Sequence, residues 1–148
     1  ETKIFETKNA IMNGATEIDM VINISDLKEG HSAQVTKEIQ SVVAAAQGHT
    51  VKVIIETCLL SPEEIATATS LCEKAGAHFV KTSTGFSNAG AQESDIHLIK
   101  KARKTSIKIK ASGGIRDLNT FLKFINLGVD RLGTSKSVEI IKGLQNEF

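Results

Sequence analysis

The feature that most limits the fold of this chain is a regular alternation of strand-like and helix-like segments. A helical pattern covers 3–12, and each of five strand-like stretches then leads into a helical pattern; these stretches lie at 17–23, 51–57, 78–83, 107–112 and 129–135. Such alternation predicts parallel strands joined by right-handed helical crossovers. Because no Pro- or Gly-rich linker interrupts the pattern, we expect a single domain spanning residues 1–148.

The clearest helix start lies between the second and third predicted strands. Ser61 is suited to cap the helix, Pro62 to occupy its first position and Glu64 to complete a capping box. A helix is therefore predicted from this point to Gly76.

A weak internal repeat relates three of the predicted strands. Each follows a glycine that ends a helix, and the residues five positions after these glycines are Asp19, Lys81 and Gly133. Because strand side chains alternate between faces, equal offsets place the three on equivalent faces, near the C-terminal ends of their strands. Ligands of parallel α/β folds bind at that end, so a site is predicted there.

Lys81 ends an apolar strand and is followed at once by Thr82, Ser83, Thr84 and Gly85. A lysine in this position could extend its ammonium to solvent, or it could be a nucleophile that forms a Schiff base. The second role needs a neutral amine, which burial or a neighbouring cation favours. In that interpretation the hydroxyls of Thr82 and Thr84 are substrate and water ligands.

Lys110 supplies the neighbouring cation, since it also lies at the C-terminal end of its strand. Asp19 lies in a strand expected to be buried on both faces, so its carboxylate requires a partner. It could form a structural ion pair or cap a loop. Together with Lys81 and Lys110 it could instead balance charge and hold a water at an amine-catalysis site.

Two glycine-containing turns are candidate phosphate ligands. Ser112-Gly113-Gly114 follows the fourth predicted strand, and Gly133-Thr134-Ser135 follows the fifth. Glycine allows backbone N–H groups to approach an anion, and loops after the last two strands of a (β/α)8 barrel frequently hold phosphate. Lower in the predicted barrel, Glu17 of the first strand is expected to pair with Lys52 of the second or Lys108 of the fourth, in a structural charge layer.

Composition excludes several classes of function. The 18 basic and 17 acidic residues are interspersed and give a net charge of +1, so neither nucleic acid nor a membrane surface is an expected partner. No apolar run reaches the length of a membrane span. Cys58 and Cys72 form no disulfide or metal pattern, which favours the cytoplasm. The four histidines show no metal-ligand spacing, and we expect neither a metal nor another cofactor.

The motifs GATEIDMVIN, VKVIIETCLL, GAHFVKTSTGF, IKASGGIR and RLGTS, in this order, closely resemble the deoxyribose-phosphate aldolases. The resemblance implies a (β/α)8 TIM barrel and cleavage of a phosphosugar, 2-deoxy-D-ribose 5-phosphate, to D-glyceraldehyde 3-phosphate and acetaldehyde. It implies that Lys81 forms the Schiff base, that Lys110 perturbs the pKa of Lys81 and takes part in proton transfer, and that Asp19 serves the proton relay. It also implies that Gly113, Gly114, Gly133 and Ser135 bind the phosphate.

The chain departs from that family's pattern in length. Only the last five βα units of the barrel can be placed, so we expect a sequence that lacks its N-terminal portion. The chain also contains no tyrosine, so a C-terminal tyrosine that some members use in proton transfer is absent. The expected assembly is a homodimer.

Two other interpretations stay open from the sequence. Another Schiff-base phosphosugar aldolase, or a transaldolase-like barrel, would share the lysine and the phosphate turns. A catalytically inactive fragment could instead bind phosphosugars or complete a barrel with another chain.

Overall fold

The computed structural model describes residues 1–145, so the end of the predicted domain, 146–148, lies outside the described residues. The predicted alternation is confirmed. The strands are β1 Glu17–Val21, β2 Thr50–Ile54, β3 Phe79–Lys81, β4 Lys108–Ser112 and β5 Arg131–Gly133. The helices are α1 Thr2–Met12, α2 Ile24–Lys28, α3 Ser32–Ala45, α4 Pro62–Lys74, α5 Glu93–Ala102, α6 Leu118–Asn126 and α7 Ser137–Gln145.

The five strands form one parallel sheet in the order β1-β2-β3-β4-β5, so each strand pairs with the next one along the chain. Within residues 1–145, β1 and β5 are the edges of this sheet. Sequential parallel strands with helical crossovers build a sheet that winds in one direction, as the strands of an α/β barrel do.

The two faces of the sheet differ in chemistry. One face is apolar, and its side chains, among them Val51, Val53, Val80 and Ile109, pack into one core with residues of the helices. The other face carries charged side chains at alternate positions of the strands; they include Glu17, Asp19, Lys52, Lys81, Lys108, Lys110 and Arg131. Among residues 1–145, the helices contribute their buried apolar side chains to the core on the apolar face, which is the arrangement of a barrel.

The sheet is strongly curved toward its charged face. Glu17 of β1 accepts a hydrogen bond from Arg131 of β5 at 2.5 Å. On a flat sheet four strand spacings would separate these edge strands by about 19 Å. The charged face is therefore concave, and its side chains converge.

Local sequence accounts for how individual elements begin and end. The predicted capping box is present, because Ser61 Oγ accepts from Glu64 N–H and the Glu64 carboxylate accepts from Ser61 N–H. β1 ends at Val21, earlier than predicted, because the Asn23 side chain accepts from Asp26 N–H and starts the short helix α2. In the part of the chain that the structure describes, no helix combines the length and apolar character needed to cross a membrane.

Candidate active site

Asp19 lies at the centre of a cluster of charged side chains on the concave face. Its Oδ1 accepts from Lys52 Nζ at 2.7 Å, and its Oδ2 accepts from Lys81 Nζ at 2.7 Å and from Lys110 Nζ at 3.5 Å. Lys52 and Lys81 are buried. The structure therefore brings the three predicted catalytic residues into direct contact.

The register of the strands places these residues at different heights. Lys81 is paired with Lys110 across β3 and β4, whereas Val21, not Asp19, is level with Lys81 through Ile54. Asp19 is thus on the predicted face, but it lies two residues nearer the N-terminal end of the sheet than Lys81. Gly133 pairs with Ser112 and lies two residues nearer the C-terminal end than Lys81. Such a stagger accompanies the tilt of strands in a barrel.

The electrostatics of the cluster favour an ionised carboxylate among amines. Burial raises the pKa of Asp19, but hydrogen bonds from Lys52 and Lys81 outweigh it and hold the pKa at about 2. Burial lowers the pKa of Lys110; the Asp19 charge opposes this shift, and the Lys81 and Lys52 charges reinforce it. The lowered pKa makes the Lys110 ammonium a better proton donor than an ordinary lysine.

Lys52 was not predicted as part of the site. The sequence placed it in a charge layer with Glu17, and that ion pair is present at 2.8 Å, while Lys108 lies over the Phe79 ring. Hydrogen bonds from Arg131 and Lys52 lower the pKa of Glu17 to about 2. The only sequence signal for Lys52 was a lysine among β-branched residues in the strand next to Asp19.

A cleft of about 320 Å³ opens beside Lys81 and Lys110. The predicted residues Thr84, Ser112, Gly113, Gly114, Gly133 and Ser135 line it, together with Gly85 and Thr134 of the same loops. Ile115 and Arg116 also line it, and the sequence did not predict a role for either of them. The Arg116 guanidinium adds a positive charge to the hydroxyls and backbone amides of the turns. This composition suits an anionic ligand.

The geometry of the first turn depends on its glycines. Gly113 and Gly114 have φ values of +82° and +77°, a left-handed conformation that side chains with a Cβ rarely adopt. Thr134 Oγ1 donates to Ile115 O at 2.6 Å and joins this turn to the one after β5. The Ser112 Oγ is buried without a hydrogen-bond partner among the described residues.

The hydroxyls after Lys81 do not all face the cleft. Thr82 is fully buried, and its Oγ1 accepts from Ser112 N–H at 3.1 Å, so it joins β3 to β4 and does not line the cleft. The expectation of Thr82 as a substrate ligand is therefore dropped, since its hydroxyl has a structural role. Thr84 does line the cleft.

The arrangement supports chemistry by an amine. Two lysine amines share a carboxylate at the inner end of a cleft whose outer turns suit an anion. An amine in this position can condense with the carbonyl of an anionic substrate, and its neighbours can transfer the protons. Elsewhere in residues 1–145, the half-buried Asp26 and the exposed Glu29 and His31 form a group with potential metal-ligand atoms, and none of them lines this cleft.

Comparison with known proteins gives a consistent assignment. A model of the DeoC/LacD aldolase family matches residues 2–135. The chain is 56% identical over 146 residues to the deoxyribose-phosphate aldolase of Staphylococcus haemolyticus, a match that covers 99% of this chain and 66% of the relative. The chain thus spans somewhat less than two thirds of that relative's length.

Solved structures agree with the fold. The aldolase QR15 superposes with a TM-score of 0.93 at 41% identity, over 98% of this chain and 66% of that one. The tetrameric deoxyribose phosphate aldolase of Aeropyrum pernix gives 0.84 at 29% identity, over 98% of this chain and 62% of that one. The fold is accordingly that of part of an α/β TIM barrel, as predicted.

Proposed function

We infer the function of this chain from its family, because the chain belongs to the DeoC/LacD family of aldolases. The proposed reaction is that of a deoxyribose-phosphate aldolase, the reversible cleavage of 2-deoxy-D-ribose 5-phosphate to D-glyceraldehyde 3-phosphate and acetaldehyde. The observation that carries the proposal is the contact of Lys81 and Lys110 with the same oxygen of Asp19, beside a cleft suited to an anion.

Lys81 is the proposed nucleophile. Its free amine adds to the aldehyde carbon of the open-chain sugar, and loss of water gives an iminium. The C2–C3 bond then breaks as the C3 hydroxyl loses its proton, and the bonding electrons enter the iminium to form an enamine. Protonation and hydrolysis release acetaldehyde and restore Lys81.

Lys110 and Asp19 are the proposed proton-transfer residues. The lowered pKa of Lys110 supports a role in taking up and returning protons. Asp19, with a pKa of about 2, stays ionised, and its oxygens stabilise the cations of the iminium stage and orient a water. Ser112, Gly113, Gly114, Gly133 and Ser135 are the proposed phosphate ligands, and Arg116 is added to them because it lines the same cleft.

The decisive experiment is reductive trapping in the full open reading frame that contains this chain. Treatment with acetaldehyde and borohydride is expected to leave the reduced adduct on the peptide that carries Lys81. Lys81→Arg should abolish trapping, because arginine stays protonated. Lys110→Leu should still be trapped, with turnover slower by orders of magnitude, since proton transfer typically contributes about 10²–10⁴-fold.

Two outcomes would contradict this assignment. An adduct on Lys110 would exchange the roles of the two lysines, and no adduct on either would exclude Schiff-base chemistry. Turnover of a 2-hydroxylated sugar phosphate in preference to the deoxysugar would favour a different Schiff-base aldolase.

Assembly and location extend the proposal. The Aeropyrum pernix aldolase is tetrameric, which supports a homo-oligomer here, with the homodimer expected from sequence as the smallest form. Cys58 and Cys72 are both free thiols, which supports a reducing compartment and hence the cytoplasm.

A further inference from the structure

Glu56 is a buried carboxylate that the proposed mechanism does not use. Only 4% of the residue is exposed, and in residues 1–145 no lysine, arginine or histidine forms an ion pair with it. Burying a charged group without a countercharge is costly unless hydrogen bonds replace its hydration. Glu56 therefore needs a structural or functional explanation.

The backbone at Glu56 is also unusual. Its φ of +53° and ψ of 63° lie in the left-handed region, which non-glycine residues adopt only at a cost. The cause is a bulge at the end of β2. Ile55 N–H donates to Lys81 O, and Thr57 N–H donates to the very next carbonyl, that of Thr82, so Glu56 is the extra residue. The bulge removes Glu56 from the concave charged face.

The bulge directs the Glu56 carboxylate to the loop after β3. Thr84 N–H donates to both carboxylate oxygens, at 3.2 and 3.3 Å, and Thr84 Oγ1 donates to Oε2 at 2.6 Å. A hydroxyl bond of this length is typical of a charged acceptor. Thr84 Oγ1 in turn accepts from Phe86 N–H, so one carboxylate orders the loop from Thr84 to Phe86.

This loop forms one wall of the cleft. Thr84 and Gly85 line the cleft together with the turns after β4 and β5, and a Cβ on Gly113 would lie 3.7 Å from Gly85 Cα. Glu56 is not among the lining residues. The hydrogen bonds of the Glu56 carboxylate therefore connect it to the cleft through Thr84. We propose that Glu56 is a positioning residue, which fixes Thr84 and Gly85 at the distance from the glycine turns that binding of the substrate's phosphate requires.

This inference rests on the proposed function, so its test measures phosphate binding and Schiff-base trapping separately. In the full open reading frame, Glu56→Gln retains the shape but replaces one acceptor oxygen with a donor. We expect the Kd for inorganic phosphate and the KM for 2-deoxy-D-ribose 5-phosphate to rise about tenfold or more, as for loss of hydrogen bonds to a charged group. Trapping of acetaldehyde on Lys81 should be unchanged, because the small aldehyde makes no use of the phosphate wall.

Variants of Thr84 test whether the effect passes through that residue. Thr84→Val removes the hydroxyl and should reproduce the rise in Kd, and the double variant should be no worse than either single one. Thr84→Ser keeps the hydroxyl and should retain wild-type phosphate affinity. Glu6→Gln, at an exposed glutamate of α1, is the matched control and should change nothing.

Each remaining outcome overturns one specific claim. Unchanged phosphate affinity in Glu56→Gln would reject the positioning role, and so would an equal loss of trapping and affinity with a lowered Tm, which marks a general folding role. Wild-type protein that binds phosphate but is not trapped would reject the proposed aldolase function and leave the phosphate result for Glu56 standing.

Discussion

Asp19 is the residue on which the charge balance of the site depends. One carboxylate contacts Lys52, Lys81 and Lys110, so its removal would leave three amines close together without a common counterion. Like charges at such distances repel, and burial of Lys52 and Lys81 limits screening by water. Asp19 is therefore expected to contribute to stability as well as to chemistry.

The pH dependence of stability tests this contribution. The pKa of Asp19 is lowered from 3.8 to about 2, so its ionised form stabilises the fold above pH 3.8, and the contribution is lost as the pH falls through about 2. In the full reading frame, Asp19→Asn should lower the free energy of unfolding at pH 5 to 7, and the difference from wild type should shrink between pH 4 and 2. Urea unfolding across this range measures it. Asp95→Asn is the control, and a difference that does not depend on pH would contradict the ion-pair explanation.

Ser135 tests the phosphate assignment at the other end of the cleft. Ser135→Asp places a negative charge among the proposed phosphate ligands, so kcat/KM for the phosphorylated sugar should fall by about tenfold or more, through like-charge repulsion. Activity on non-phosphorylated deoxyribose should fall much less. Steady-state kinetics with both substrates decide the point, and equal losses would indicate a folding defect instead.

At the residue scale, the sequence could predict features that depend on the residues of one strand alone. Lys81 stands out because it is a charge at the end of an apolar strand. Lys110, which was expected at the end of its strand, is the middle residue of β4 and was singled out by the Ser-Gly-Gly turn that follows it. The contact of Lys52 with Asp19 could not be predicted, because it depends on register and curvature between strands. The position of Glu56 could not be predicted either, because it depends on a bulge, and glutamate is not a residue type that favours the left-handed backbone conformation.

At the scale of elements, two loops meet by direct backbone contact. A Cβ placed on Gly90, before α5, would lie 2.2 Å from the backbone carbonyl atoms of Gly113. Ala91 N–H donates to Ser112 O and Gly113 O at 3.0 and 3.2 Å. The end of the loop after β3 is thereby fixed against the first glycine turn.

Replacement of Gly90 should therefore displace the turn at Gly113 and have a smaller effect on the stability of the fold. Gly90→Ala is expected to displace Ser112–Gly114 and weaken binding of inorganic phosphate about tenfold or more, because backbone atoms cannot move aside as a flexible side chain can. Gly143→Ala, within α7, is the matched control. Its Cβ meets only side-chain atoms at 3.5 Å or more, and it should be neutral or stabilise by up to about 1 kcal/mol. Calorimetry measures both properties, and unchanged affinity in Gly90→Ala would contradict the role of this contact.

Elements were predictable where their boundaries have local chemical signals. The capping box of Ser61 and Glu64 gave the start of α4 correctly. The short helix α2 was missed because its five residues form too short a pattern to show helical periodicity. Its N-cap, Asn23, was instead included in the preceding strand.

At the scale of the whole molecule, the sheet has two edges within residues 1–145. The backbone groups of β1 and β5 that face outward along the sheet have no strand partner there. Phe5, Met12 and Phe86 are also largely exposed. Unpaired edges and exposed apolar side chains both favour association.

Residues 1–148 produced alone are therefore expected to self-associate. Sedimentation velocity should show species heavier than a monomer at micromolar concentration, together with little aldolase activity. The full open reading frame, measured in parallel, should give a defined assembly. A monomeric and active product of residues 1–148 would contradict this prediction.

Because the two faces of the sheet differ in chemistry, substitutions at odd-numbered and even-numbered positions of a strand should have different effects. Along β1, Ile18 and Met20 belong to the core, while Glu17 and Asp19 face the concave side. Substitutions at Ile18 and Met20 should lower the amount of folded protein in a cell. Substitutions at Asp19 should lower that amount less, but should lower the turnover of each folded molecule more. A mutational scan that records abundance and turnover separately would thus show a period of two, and its phase would identify the catalytic face without a bound ligand.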